Sequence, residues 1–126
     1  MACAIANSLH QAGQLVLFAR VPYLLHQLQP GHDNRELERQ IEVVSVLVLD
    51  DIGAERDQAT DYTRRTLLML YEARLDGGKR TVFTSNKSID ELAAMQQDDR
   101  LTSRINGWSA VVNVTTPDQR TLRRVK

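Results

Sequence analysis

The sequence has little of several features that would place a protein in a class at once. Its 126 residues include one cysteine, Cys3, which excludes a disulfide framework. Three scattered histidines do not combine with it into the spacing of a metal site. No apolar run approaches the roughly 20 residues that cross a bilayer, and no basic start with an apolar run marks a signal peptide. We therefore expect a cytoplasmic protein with no membrane partner.

The chain also lacks an excess of charge of either sign. Sixteen lysines and arginines balance sixteen aspartates and glutamates, so no overall basic field indicates nucleic acid as the partner. The length fits one domain or part of one. A specific function therefore has to be inferred from local motifs.

Two periodicities alternate along the chain and predict its fold class. Helices are expected over 2–12, from 21, over 35–42 and 61–75, from 88, and over 101–106. Strands are predicted at 15–19 and 46–50, which are apolar runs, and at 81–85 and 110–114. Strands separated by helices indicate an α/β fold with a parallel sheet covered by helices on both faces.

Two adjacent carboxylates follow the most apolar of these strands. Asp50 ends the strand at 46–50 and Asp51 follows it, at the edge of the sheet where α/β proteins bind ligands. One carboxylate could hold Mg²⁺ while the other orients or deprotonates a water aimed at a γ-phosphate. A bound cation would also relieve the repulsion between the two aspartates. The alternative is a solvated loop in which the pair merely ends the strand.

Three further polar residues follow in an informative order. Asn86 comes after the strand at 81–85 and could hydrogen-bond an attacking water without adding charge. Arg104 lies beside an apolar helical face, and Arg120 follows the strand at 110–114. Taken singly, Asn86 is as well explained as a turn residue and each arginine as a surface charge, for instance with Arg104 paired to Asp98 or Asp99.

In combination these motifs resemble those of the AAA+ ATPases of the DnaC/DnaI helicase-loader and IstB transposition-helper group. The resemblance is carried by VLVLDDIGAE at 46–55, FTSN at 83–86, DDRLTSRI at 98–105 and DQR at 118–120. It extends over essentially the whole chain. It implies a P-loop NTPase fold of the AAA+ type, with ATP and Mg²⁺ as cofactors.

The resemblance also implies a role for each candidate residue. Asp50 corresponds to the Mg²⁺-linked Walker B acid and Asp51 to its catalytic partner. Asn86 takes the sensor 1 position, Arg104 resembles the arginine finger that reaches a neighbouring subunit's nucleotide, and Arg120 resembles the nucleotide-contacting sensor 2 arginine. Glu55 matches a family position to which chemistry assigns no role here.

One departure from the family pattern affects the expected activity. The sequence contains no G-x-x-G-x-G-K-T loop, and none of its three lysines is preceded by a glycine-rich phosphate loop. We therefore expect residues 1–126 to be a partial AAA+ core, from Walker B to sensor 2, that lacks the P-loop and the first, central strand. In the family's sheet order, 5-1-4-3-2, that strand lies between those at 81–85 and 110–114. Without a phosphate cradle, these residues alone are not expected to hydrolyse ATP.

Three functions remain open from the sequence. The first is an ATP-dependent, DNA-associated helper, with a replicative helicase and single-stranded DNA as partners, as in the helicase loaders. The second is an IstB-like transposition helper with a transposase as partner. The third is a non-catalytic remnant that only associates with itself through the Arg104 surface. The basic tail at 120–126 is the only notable cluster for electrostatic contacts with DNA, and a solvated helix end explains it equally well.

Overall fold

The computed structural model describes residues 2–31, 33–53, 61–95, 100–110 and 112. Within these residues helices and strands alternate as the sequence predicts. The elements are α1 (Ala2–Gln11), β1 (Val16–Arg20), α2 (Val21–Gln27), α3 (Arg35–Val43), β2 (Val46–Asp50), α4 (Asp61–Asp76), β3 (Arg80–Phe83), α5 (Ile89–Met95) and α6 (Arg100–Trp108). The predicted strand at 110–114 lies mostly outside the described residues, and Glu55 and Arg120 lie outside them altogether.

The three strands form a parallel sheet in the order β1-β2-β3, which confirms the predicted fold class. The β1–β2 register runs from Val16 opposite Val46 to Arg20 opposite Asp50. The β2–β3 register ends at Leu49 opposite Phe83. Because all three strands run the same way, their carboxyl ends meet at one edge of the sheet.

The central strand β2 is buried on both faces, as its continuous apolar sequence predicts. On one face Leu47 and Leu49 pack into the main core, together with residues of α2, α4, α5 and α6. On the other face Val46 and Val48 pack against Ala2 and its neighbours on α1. Helices therefore cover both faces. In the described part of the chain, no helix has the length and apolar character needed to cross a membrane.

Two helices, α2 and α5, begin as the sequence predicts. Pro22 lies in the first turn of α2, where its missing N–H costs no hydrogen bond. Before α5, Ser88 and Glu91 form the predicted capping box. The Glu91 N–H donates to Ser88 Oγ at 3.1 Å, and the Ser88 N–H donates to Glu91 Oε1 at 3.3 Å.

Strand β3 ends earlier than the sequence predicts. We expected it to reach Ser85, whereas it ends at Phe83. The reason is a sharp turn after β2, where Asp51 has a positive φ of 64°. Beyond Phe83 the chain pairs with this turn, since the Ile52 N–H donates to the Thr84 carbonyl at 2.9 Å.

At the opposite edge of the sheet, the fully buried guanidinium of Arg74 joins α4 to the end of α3. Its Nη1 donates to the carbonyl oxygens of Ile41 at 2.6 Å and Val44 at 2.7 Å. The Arg74 side chain has no solvent exposure. Burial lowers the pKa of Arg74, but a guanidinium is so strong a base that it stays charged.

The same guanidinium also contacts the start of both neighbouring strands. Its Nε donates to Thr81 Oγ1 at 2.9 Å, and its Nη2 lies 3.5 Å from the Ser45 carbonyl and contacts the Arg80 carbonyl. Among the described residues, its partners are therefore backbone carbonyls and one hydroxyl. Arg74 satisfies acceptors at the amino ends of β2 and β3 that would otherwise be buried without donors.

We predict that Arg74→Met greatly destabilises the chain. Methionine fills similar space but donates no hydrogen bond, and leaving several buried carbonyls unpaired should cost about 3 kcal/mol. The loss is measured as a lower denaturant midpoint in equilibrium unfolding. The matched control is Arg39→Met, which removes an exposed arginine of α3 that pairs with Glu36. The control should unfold nearly as the wild type does, and equal midpoints for both variants would contradict the role assigned to Arg74.

Candidate functional site

The register of the sheet brings three polar side chains together at its carboxyl edge. Asp50 ends β2 directly opposite Arg20, which ends β1. Thr84 follows β3 and remains beside β2, since its N–H donates to the Leu49 carbonyl at 3.0 Å. These residues are 30 or more positions apart in sequence, and only the parallel pairing makes them neighbours.

Thr84 forms hydrogen bonds with both adjacent aspartates. Its hydroxyl donates to Asp50 Oδ1 at 2.5 Å, and its Oγ1 accepts the Asp51 backbone N–H at 3.2 Å. The Thr84 hydroxyl is therefore a donor to Asp50 and an acceptor from the Asp51 backbone. Rotation of the Asp50 carboxylate would break its bond to Thr84, so the carboxylate is oriented before any ligand arrives.

Arg20 supplies positive charge beside both carboxylates. Its Nη2 donates to Asp51 Oδ2 at 3.1 Å, and its Nε lies 4.0 Å from Asp50 Oδ2. The Arg20 side chain is 64% exposed, whereas those of Asp50 and Asp51 are 26% and 30% exposed. The sequence led us to expect a divalent cation to offset the repulsion between the aspartates. In the structure an arginine from the neighbouring strand offsets it.

Sequence reasoning missed Arg20 and Thr84, although a signal for each was present. Arg20 ends the apolar run at 15–19 just as Asp50 ends the run at 46–50. Thr84 lies within the FTSN segment, two residues before Asn86. Parallel strands that end in polar residues bring those residues to one edge, so a polar residue at the end of each strand is the signal.

The chain turns sharply away from the sheet after the aspartates. Asp51 adopts a left-handed φ of 64°, which costs a non-glycine residue energy and is typical of functional sites. Ser85 anchors the turn, because its hydroxyl donates to the Ile52 carbonyl at 2.5 Å. Gly53 then packs closely against α5. The turn thus keeps both carboxylates at the sheet edge.

The oxygen atoms at this edge are suited to Mg²⁺. Two carboxylates and the Thr84 hydroxyl are hard donors, which Mg²⁺ prefers. Among the described residues no group of three or more histidine, cysteine, aspartate or glutamate side chains could enclose a metal. Mg²⁺ ordinarily takes one or two protein carboxylates and completes its shell with waters and phosphate oxygens. The donor set therefore fits Mg²⁺ bound together with a nucleotide.

The structure places Asn86 at the same edge but outside this hydrogen-bonded group. It lies exposed in a bend three residues after β3 ends. The neighbouring backbone is fixed, because the Lys87 N–H donates to Ser85 Oγ at 3.0 Å. No hydrogen bond joins the Asn86 side chain to another described residue. Its amide is thus available to a ligand at the sheet edge.

Arg104 lies away from the aspartates, on α6. Its Nε is 3.2 Å from Oε1 of Glu72 on α4. The carboxylate it pairs with is therefore one that the sequence did not suggest, while Asp98 and Asp99 lie outside the described residues. Arg104 does not contact the Asp50–Asp51 pair of its own chain, and this is compatible with a residue that faces outward.

Comparison with known proteins gives a consistent assignment. A family model described as IstB-like ATP binding protein matches residues 1–123. The chain is 33% identical over 96 residues to the replicative helicase loader DnaI of Bacillus subtilis (strain 168), covering 73% of this chain and 30% of that protein. It is 28% identical to a crystal structure of DnaI, with a TM-score of 0.72 and coverage of 84% of this chain and 61% of that one.

A more distant structure shares the fold. The replication initiator DnaA bound to AMPPCP and single-stranded DNA is 20% identical, with a TM-score of 0.69 over 87% of this chain and 34% of that one. The chain thus spans less than a third of the length of the curated DnaI and less than two thirds of either solved chain.

We predict that Arg20→Met increases the affinity of the aspartate pair for a divalent cation. Removing a competing positive charge at 3.1 Å from Asp51 should tighten binding about three- to tenfold. Mn²⁺ favours the same oxygen ligands as Mg²⁺ and can be followed by paramagnetic broadening of NMR signals near Asp50. The control is Arg35→Met, which removes an exposed arginine paired with Asp33. Unchanged or weaker Mn²⁺ binding in Arg20→Met would refute the proposed competition.

We also predict that the turn after the aspartates depends on glycine at position 53. Gly53 has a φ of 95°, and a Cβ there would lie 2.6 Å from Cδ2 of the buried Leu92. Gly31 has a φ of 97° but open space around it. Gly31→Ala should therefore cost about 1 kcal/mol for the backbone alone, whereas Gly53→Ala should cost a further ~1–3 kcal/mol for the clash. The two free energies of unfolding are compared directly, and equal losses would show that Leu92 accommodates the methyl group.

Proposed function

Because the chain belongs to the family of IstB-like ATP binding proteins, in the DnaC/DnaI group of AAA+ ATPases, we propose that it forms the catalytic edge of an ATP-driven, DNA-associated helper. The whole protein would bind and hydrolyse ATP, and its nucleotide state would control the assembly of a partner on DNA. The observation that carries this proposal is the oriented group of Asp50, Asp51, Thr84 and Arg20 at the carboxyl edge of the sheet.

Asp50 and Asp51 have different proposed roles because their environments differ. Asp50 accepts the Thr84 hydroxyl and is oriented by it, so it is the better candidate to hold Mg²⁺, directly or through water. When bound, Mg²⁺ would neutralise charge on the phosphates. Asp51 follows on the turn, and its Oδ2 accepts a hydrogen bond from the exposed Arg20 side chain. We assign Asp51 to orienting or deprotonating the attacking water.

The remaining candidate residues complete the site in this proposal. Asn86 would hydrogen-bond the attacking water or the γ-phosphate from the same edge. Arg104 would act on a nucleotide held by a neighbouring copy of the chain, since it faces away from its own aspartates. Arg120 would contact the nucleotide phosphates, a role supported by the resemblance of DQR at 118–120 alone.

Phosphate binding itself needs a Walker A loop, which residues 1–126 do not contain. No G-x-x-G-x-G-K-T loop occurs in the 126-residue sequence. In P-loop NTPases such a loop cradles the phosphates through backbone N–H groups, and positioning supplies most of the catalysis. The activity of the whole protein is therefore proposed only together with a Walker A segment.

We favour a role in loading a replicative helicase, which makes the helicase the partner of this protein. It is supported by the 33% identity to a protein named as a replicative helicase loader, and a single-stranded DNA partner is supported by the DnaA complex. A role in transposition is the second candidate, because the matching family is described as IstB-like. The two candidate functions are distinguished by co-sedimentation. The protein is mixed with ATP and either the purified replicative helicase or the purified transposase.

We predict that Asp51→Asn keeps ATP binding and lowers hydrolysis by a factor of about 10² or more, because the residue acts on water rather than on the bound phosphates. Asp50→Asn should in addition weaken Mg²⁺-dependent ATP binding. Both are measured in a fusion that supplies a Walker A strand and loop before Met1, with binding and turnover assayed separately.

The control for this experiment is Asp33→Asn, which removes an exposed aspartate in the loop before α3. It should bind and hydrolyse ATP as the unsubstituted fusion does. If Asp50→Asn and Asp51→Asn also leave turnover unchanged, the aspartates only end the strand and the proposal is wrong.

A further inference from the structure

The two oxygens of the Asp50 carboxylate have different surroundings. Oδ1 accepts the Thr84 hydroxyl at 2.5 Å, a length typical of a short hydrogen bond to a charged acceptor. Oδ2 lies 4.0 Å from Arg20 Nε, which is beyond hydrogen-bond distance. The positive end of the Thr84 O–H dipole is therefore placed against Oδ1, and Oδ2 is the more favourable oxygen for a cation.

Thr84 is held in place by the backbone on either side of it. Its N–H donates to the Leu49 carbonyl at 3.0 Å, and its carbonyl accepts the Ile52 N–H at 2.9 Å. Its Oγ1 also accepts the Asp51 N–H at 3.2 Å. Because threonine is branched at Cβ, its side chain has few rotamers to exchange. The hydroxyl therefore stays beside Asp50 when a cation approaches.

The difference between the two oxygens affects Mg²⁺ and Ca²⁺ unequally. Mg²⁺ requires near-octahedral geometry, and the two oxygens of one carboxylate lie too close together to fill two octahedral positions well. One oxygen, such as Oδ2 of Asp50, is therefore enough for it. Ca²⁺ is larger, takes about six to eight oxygens and often binds both oxygens of a carboxylate. Binding both oxygens of Asp50 would require displacing the Thr84 hydroxyl from Oδ1.

The neighbouring carboxylate does not readily supply the oxygens that a larger cation needs. Asp51 Oδ2 already accepts a hydrogen bond from Arg20 Nη2 at 3.1 Å. A cation that needs many oxygens would thus compete with a guanidinium at Asp51 and with a hydroxyl at Asp50. The hydroxyl at Asp50 is the stronger constraint, because Thr84 is anchored to the sheet whereas the Arg20 side chain is 64% exposed.

We propose that Thr84 is a positioning residue that determines the cation selectivity of the aspartate pair. By holding Oδ1, it leaves Asp50 a single oxygen for a cation and so disfavours Ca²⁺ relative to Mg²⁺. This role rests on the proposed function, in which Asp50 holds Mg²⁺. Displacing the Thr84 bond should cost Ca²⁺ roughly a factor of ten in affinity, because the acceptor of this bond is charged.

The test compares titrations of the chain with Mg²⁺ and with Ca²⁺, followed by the backbone amide NMR signals of Asp50 and Asp51. Thr84→Val keeps the shape of the side chain and removes the hydroxyl. Both cations gain from a carboxylate that has lost a hydrogen bond, but only Ca²⁺ also gains access to Oδ1. The ratio of Ca²⁺ affinity to Mg²⁺ affinity should therefore rise about tenfold. Thr84→Ser keeps the hydroxyl and should retain the wild-type ratio.

The matched control is Thr66→Val, which removes a threonine hydroxyl of α4 that donates to the Tyr62 carbonyl at 2.9 Å. It should leave the ratio of affinities unchanged. Denaturant midpoints show whether each variant is folded.

A second measurement uses the unsubstituted chain, so it does not depend on the stability of Thr84→Val. Infrared spectra distinguish a carboxylate that binds a cation through one oxygen from one that binds through both, by the separation of its two stretching bands. Subtracting the spectrum of Asp50→Asn assigns the bands of Asp50. We expect the one-oxygen pattern with Mg²⁺ in the unsubstituted chain and the two-oxygen pattern with Ca²⁺ in Thr84→Val.

The possible failures separate the role of Thr84 from the proposed function. An unchanged ratio in Thr84→Val, or a two-oxygen pattern with Mg²⁺ in the unsubstituted chain, would overturn the role of Thr84 and leave Asp50 as a metal ligand. If neither cation moves the Asp50 and Asp51 signals in any variant, the metal site of the proposed function is wrong, and the role of Thr84 falls with it. Neither measurement involves hydrolysis.

Discussion

The buried guanidinium of Arg74 is the interaction on which the arrangement of the sheet depends. It joins carbonyl oxygens at the end of α3 to others at the starts of β2 and β3. A one-residue slip between these strands would move the acceptors away from the fixed fork and would turn every core side chain to the wrong face. The register held at the amino edge is the register that brings Arg20, Asp50 and Thr84 together at the carboxyl edge.

Three arginines differ in how readily they can exchange their partners, because their surroundings differ. Arg74 is enclosed and bound to neutral acceptors, so it cannot exchange partners without unfolding part of the core. Arg20 is largely exposed and bound to carboxylates that are half-buried, so a metal ion can compete with it at low cost. Arg104 pairs with an acid that is also largely exposed, so water competes for both partners of this pair.

The aspartate pair shows how a site can be oriented before its ligand binds. Two adjacent carboxylates would repel, and a left-handed Asp51 is unfavourable, yet both are held by hydrogen bonds from neighbouring strands. The cost is offset by the packing of β2, which is buried on both faces. The strain is therefore concentrated at the edge, where a cation and phosphates would relieve it.

The sequence by itself determined the fold class, the three described strands to within two residues at each end, the capping box before α5, and the position of Asp50 and Asp51 at a strand end. Hydrophobic periodicity, capping residues and glycines act locally, so they can be read from neighbouring residues. The tertiary structure alone decided that Arg20 and Thr84 hold the aspartates, that Glu72 pairs with Arg104, and that Arg74 is buried. Each of these contacts joins residues from different elements, and their partners follow from strand register and helix packing. Those are set by the whole core, so no local pattern in the sequence specifies them.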